Sequence, residues 1–364
     1  MRLRSLQLLV FTGALTAIAF AQATPRNSLL ALSKQDHTLS IIDPVTLKVV
    51  ATVPVGEDPH EVVASTDGRT AYVSNYGFGA FHTLAVIDLV NQKALQPIEL
   101  GALRGPHGLY FTQGKVWFTA EAAKAIGSYD PASAKIDWIM GTGQNRTHML
   151  YVLPGARRIL TTNVSSATVT VLDKVERPAG MPQGPRPGPP SGMGPGPGGP
   201  PPGMGPGSGG PPPPPPGGDW IETVIPVGRG SEGFDVSPDG NEAWVANAQD
   251  GTITIIDLGT KTVAATLAAN VPGANRLKFT PDGKLVLVTP GSALVVMEAA
   301  TRKEVKRLSN VHGSGGIEIQ PDGARAYVAC GRDGYVAVID LKALEEVGRI
   351  PIAGPDGLAW AVQH

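Results

Sequence analysis

Pro238-Asp239-Gly240, Trp244-Val245-Ala246-Asn247 and Ile255-Ile256-Asp257 follow one another in a single run, with Thr260 just beyond. Asp-Gly before an apolar segment is a strong hairpin signal. The two apolar segments read as neighbouring antiparallel strands. The carboxylate of Asp257 can accept backbone N–H groups two residues on, which closes the next turn.

The same phrase recurs along the chain. Its acidic end stands in Ile41-Ile42-Asp43, Val86-Ile87-Asp88, Ser128-Tyr129-Asp130, Val171-Leu172-Asp173, Val296-Met297-Glu298 and Val338-Ile339-Asp340. Successive spacings, with Asp257 included, are 45, 42, 43, 84, 41 and 42 residues. The long one contains a Pro/Gly-rich stretch over 178–218; without it the repeat stays near its usual length. Asp67-Gly68, Asp282-Gly283 and Asp322-Gly323 repeat the first turn, and Asp43/Thr46 and Asp130/Ser133 repeat the second. These acidic residues therefore read as structural.

Each repeat holds four short strand-like runs, and no long segment has helical periodicity. Four-stranded units of this length predict a β-propeller, here all-β with seven antiparallel blades. The two ends agree with that count. The first strand, over 29–33, reads as the second of its blade. The last apolar run, over 354–361, is left to complete that blade and close the ring, so no long edge stays exposed and a monomer is expected.

Composition bounds the rest. The chain has 364 residues with 46 Gly and 34 Pro, a large share of them within 178–218. At 42% hydrophobic content a real core is available, which excludes wholesale disorder. A formal net charge of −1 gives no electrostatic case for nucleic-acid binding. Arg2 and Arg4, an apolar stretch over 6–20 and Ala19-Phe20-Ala21 form a secretory signal peptide over 1–21, with the mature chain starting at Gln22. The expected location is periplasmic or extracellular, with one propeller domain over 22–364 and no membrane span after cleavage. Cys330 is the single cysteine, so no intrachain disulfide forms. It reads as a small buried residue rather than a nucleophile.

Tyr72-Val73-Ser74-Asn75, Trp244-Val245-Ala246-Asn247 and Tyr327-Val328-Ala329-Cys330, with their Pro-Asp-Gly and Val-Ile-Asp flanks, resemble the YVTN-type seven-bladed propellers. The resemblance implies fold rather than function, because that family is functionally diverse. One blade resembles the streptogramin-lyase propellers, which are metal-dependent carbon–oxygen lyases. The residues are Gly105-Pro106-His107-Gly108-Leu109, Trp117-Phe118-Thr119-Ala120-Glu121 and Ile126 to Pro131.

Propeller symmetry points to a site. Aligning the starts of the first strands brings Asp356, His60, His107, His148, Glu232, Asn275 and Gly315 to equivalent positions, in blade order. Six are polar, and three adjacent blades give histidine. A ring converges such residues on its axis. Histidines with one carboxylate, Glu232 or Asp356, suit one divalent metal, zinc or a similar ion. His37, His82 and His312 fall in loops on the same face, as do Arg104, Arg146 and Arg229, with Arg276 beside Asn275. Arginines there suit a carboxylate or phosphate ligand. Glu121 reads as a solvated carboxylate, with a base or a supporting group as the functional alternative. The structural alternative for the histidines is hydrogen bonding to loops around a water-filled channel.

Three functions follow as expectations. The first is a binding or scaffold propeller with a histidine-rich metal or ligand site at one channel mouth. The second is a metal-dependent lyase or lactone hydrolase using the same mouth. The third is a purely protein-binding propeller. The insert at 178–218 falls between the third and fourth strands of the fourth blade. It reads as an extended disordered loop, either an inert excursion or a contact arm. Its Met181, Met193 and Met204 are a remote copper-ligand alternative. No G-x-S-x-G, P-loop, CxxC or CxxCH motif is present.

Overall fold

The computed structural model describes residues 22–175 and 219–364. The signal-peptide expectation over 1–21, and the insert with Met181, Met193 and Met204, lie outside the described residues.

Seven antiparallel sheets form a ring. Six have four strands. The second has five because its outer strand splits into Lys93–Ala94 and Ile98–Glu99 around Pro97, which has no N–H to give a ladder. The innermost strands are Pro355–Val362, Pro59–Ala64, Pro106–Thr112, Thr147–Val152, Ser231–Val236, Arg276–Phe279 and Ile317–Ile319. They pack side by side around the axis. The chain's last strand pairs antiparallel with Asn27–Ser33, with Leu29 opposite Trp360 and Leu30 opposite Ala359, and so closes the ring.

The repeated turns are built by their acidic residues. Asp88 Oδ1 accepts from the N–H of Val90 and Asn91 at 3.0 and 2.9 Å, Asp43 and Asp340 do the same in their blades, and Asp257 Oδ1 accepts from the N–H and hydroxyl of Thr260. The motif asparagines are buried braces. Asn75 Nδ2 donates to the carbonyls of Val55 and Glu57, and Asn247 Nδ2 donates to the hydroxyls of Thr252 and Thr254. Asp173 departs from the pattern. Its strand runs on through Val175, opposite Asp219, and its carboxylate pairs with Arg158 and Lys261.

The apolar core is divided rather than central. Each blade-to-blade interface has its own layer, such as Leu30, Ile41, Val73 and Ile87 between the first two blades. Each fully buried aliphatic side chain contributes about 1.5–3 kcal/mol. With its apolar surface spent between blades, the ring leaves the axis to polar side chains. Cys330 is buried and free. Among the described residues, no helix is long and apolar enough to cross a membrane.

Candidate metal and ligand site

The site is set by how tightly the innermost strands approach one another. His60, His107, His148, Glu232 and Asp356 are each the second residue of their strand, and three of them, His107, Glu232 and Asp356, are followed directly by glycine. A Cβ on Gly108 would stand 2.6 Å from the His148 carbonyl oxygen, and one on Gly233 would stand 2.4 Å from that of Asn275. Only glycine allows that spacing.

Buried hydroxyls then staple each blade to the next. Ser74 Oγ accepts from Glu61 N–H and donates to the His107 carbonyl at 2.8 Å. Thr119 Oγ1 accepts from Gly108 N–H and donates to the His148 carbonyl at 2.6 Å. Thr162 Oγ1 does the same between Met149 and Glu232. Three consecutive site residues are thus held by their backbones.

Their side chains meet in a cavity of about 760 Å³ at one mouth of the channel, with Asp356 and Asn275 also in its wall. The rings of His60, His107 and His148 stand in a row, with centroids 4.7 and 3.9 Å apart. His148 Nδ1 lies 2.5 Å from Glu121 Oε1, and its Nε2 lies 2.8 Å from Glu232 Oε2. The second contact is off the N–H direction, so Nε2 has no aligned hydrogen bond. Tyr76 donates its hydroxyl to Glu121 Oε2 and sets its ring edge-on to His60 and His107.

Charge sorts these groups. Burial works against protonation of His148, but Glu121 and Glu232 outweigh it and raise its pKa. Burial, then the neighbouring His148 and His60, push His107 well below the ordinary histidine value, so it stays a neutral imidazole. Burial would raise Glu232, yet His148 and Arg146 pull it down to about 2. Glu121 is held low in the same way.

Glu121 corrects the reading as a solvated residue. It is 5% exposed, because its N–H bonds the Gly105 carbonyl and turns the side chain inward between Tyr76 and His148. One ligand atom from each of His107, Glu121 and His148 falls within 4.8 Å of the others, and these three residues could hold a metal ion. His60 stands apart from that group. Lys34 Nζ sits 2.6 Å from its Nε2, and 3.2 and 3.4 Å from carboxylates of Asp58 and Asp356. An ammonium has only hydrogens to offer, so that imidazole nitrogen accepts from it.

The remaining candidates divide. Arg146 lines the cavity, 3.7 and 3.6 Å from Glu121 and Glu232. Arg276 is buried and reaches across the channel to Glu61, and it also bonds Asn275. By contrast, Arg104 and His37 are exposed, Arg229 pairs with Asp250, His82 with Glu99 and His312 with Asp333. None of these five lines the mouth cavity. Gly315 packs against Asp356. Farther along the axis, Asp235, Lys278 and Glu318 line a second cavity of about 280 Å³, where burial pushes Glu318 up to about 7.

Sequence reasoning overlooked Lys34, Asp58 and Tyr76. Lys34 and Tyr76 each directly follow the second strand of their blade, the place Glu121 holds in the third blade, and Asp58 stands where Arg146 does, but the residue type at these places changes from blade to blade, so no shared chemistry singles them out. The pair Gly77 and Gly79 within an unusually long loop was the available signal.

No family model matches the chain, and no curated protein does. Solved propellers do. A protein of unknown function from Desulfotomaculum acetoxidans is 15% identical with a TM-score of 0.70, over 93% of this chain and 100% of that one. A candidate 6-phosphogluconolactonase from Bacteroides fragilis is 13% identical with a TM-score of 0.66, over 92% and 98%. The dihydro-heme d1 dehydrogenase NirN is 16% identical with a TM-score of 0.59, over 93% and 75%. At these identities the likeness shows the fold.

Proposed function

We propose that the chain is a periplasmic or extracellular propeller of the YVTN type that binds one divalent cation, zinc or a similar ion. His107, Glu121 and His148 hold it, and a small-molecule ligand joins it at the channel mouth. One observation carries this reading. Two buried imidazole nitrogens, His107 Nδ1 and His148 Nε2, have no aligned hydrogen-bond partner, and they belong to a group whose ligand atoms converge. An unpaired buried polar atom costs about 1–3 kcal/mol. His107 Nδ1 is such an atom, and beside His148 and the Glu121 carboxylate it suits a cation that takes nitrogen lone pairs and one oxygen.

Elemental analysis after dialysis against zinc tests it. One equivalent bound by the native chain, and none by the His107→Ala/His148→Ala double variant, supports the reading. No zinc in either overturns it. A metal-dependent lyase or lactone hydrolase is the second reading. The observation that favours it is that the mouth cavity opens directly on the cluster, so a bound ion would keep positions free for a substrate oxygen. Turnover of a lactone, lost in the same variant, distinguishes it.

A further inference from the structure

Phe78 is the one residue of the mouth whose position works against its chemistry. Its side chain is 90% exposed, and among the described residues it is the only exposed aromatic. Its backbone is left-handed, at φ 51°, between Gly77 at 56° and Gly79 at 86°. A bulky residue in that conformation is strained by about 1–3 kcal/mol. The strain gains no burial, since the ring faces solvent.

The turn is nevertheless firmly seated. Gly77 N–H donates to Asp58 Oδ2 at 2.9 Å, the same carboxylate whose other oxygen meets Lys34 and His60. Gly77 lies against the Phe81 ring, and Gly79 against Gly105, each too close for a Cβ on the facing glycine. The fold holds an aromatic face out at the wall of the cavity.

Two cations in that wall are also uncommitted. Arg332 is exposed and has no hydrogen-bond or ion-pair partner among the described residues. Arg146 has only the long contacts to Glu121 and Glu232. Lys34 and Arg276, by contrast, are fully engaged with carboxylates. A ligand that satisfies both features carries an anionic group for the arginines and a flat apolar ring for Phe78.

We propose that the mouth binds planar aromatic anions, with Phe78 as the platform that selects the ring. The inference rests on the reading of the mouth as a ligand site and not on the metal. Phenylphosphonate and methylphosphonate share one anionic head and differ in the ring. Calorimetric titration of the full chain with each should give at least tenfold tighter binding of phenylphosphonate. Phe78→Ala should reduce that ratio to about twofold or less, and Phe78→Trp should restore it.

A ratio unchanged in Phe78→Ala, equal losses on both probes, or no binding of either probe by the native chain overturns the proposal. The titrations are run with and without zinc. If the ratio collapses in Phe78→Ala while zinc makes no difference to either probe, the metal reading fails and the aromatic selectivity stands.

Discussion

His107 and His148 lie with ring centroids 3.9 Å apart, yet their surroundings shift their pKa values in opposite directions. Burial and the charge of its neighbours push His107 down, whereas Glu121 and Glu232 outweigh burial and raise His148. Such divergence between adjacent titratable groups marks a functional cluster more often than a structural one.

Zinc affinity should therefore rise with pH. His148 has a pKa raised above the ordinary value of 6.5, and its proton must leave before its nitrogen can bind an ion. Below that raised pKa the proton competes, and affinity should fall by up to about tenfold per pH unit. Titrations at pH 6.5 in buffers of different ionisation enthalpy should show more than half a proton released per zinc. No release would mean that His148 is not a ligand.

Acid should weaken the metal-free protein through Glu232. Its carboxyl is depressed to about 2 from 4.5, so its contribution is present above 4.5 and lost as the pH falls through that window. Glu232→Gln should cost about 3 kcal/mol at pH 6 through the lost attraction to His148 and Arg146, the free energy that a fall from 4.5 to about 2 represents. Urea unfolding at pH 6 and at pH 3 should show the difference from the native chain shrinking at the lower pH. A constant difference would contradict the assignment.

The hydroxyl staples should matter to the site as well as to the fold. Thr119→Val keeps the volume but leaves Gly108 N–H and the His148 carbonyl without their shared partner. A loss of about 1–3 kcal/mol is expected, with weaker zinc binding, and Thr119→Ser should recover both. Thermal melts with zinc titration of the two variants check it.

Much of this was readable in the chain itself. The Asp-Gly and Asp-x-x-Thr turns are local chemistry repeated at a fixed period, so blade count and ring closure followed from counting. Symmetry then carried His60, His107, His148, Glu232, Asn275 and Asp356 to one mouth without any knowledge of distances. What symmetry cannot carry is the contents of single loops. Lys34 and Tyr76 take the place that Glu121 takes in its blade, and Asp58 that of Arg146, but the residue type there changes from blade to blade, and these side chains decide that His60 is engaged by an ammonium while Glu121 turns inward. His37, His82, His312, Arg104 and Arg229 stay out of the cavity wall, exposed or paired with nearby carboxylates, which no repeat alignment encodes.

Removing 178–218 should leave the rest intact. Val175 pairs with Asp219, so the strands that flank the insert are already in hairpin register. Replacing 176–218 by Asn-Gly joins Val175 to Asp219 through a two-residue turn of the favoured type. The shortened chain should keep its melting temperature within about 2–4 °C, the shift that about 1 kcal/mol produces, and keep its zinc stoichiometry. Loss of zinc binding would place part of the site in the insert.

The central claim is that His107, Glu121 and His148 hold one divalent ion. Anomalous diffraction at the zinc edge, from crystals of the zinc-soaked protein, tests it directly. The account predicts a single strong peak about 2.0–2.2 Å from a nitrogen of His107, a nitrogen of His148 and an oxygen of Glu121. No peak at the mouth, with the His148–Glu121 contact intact in the zinc-soaked crystal, would contradict it.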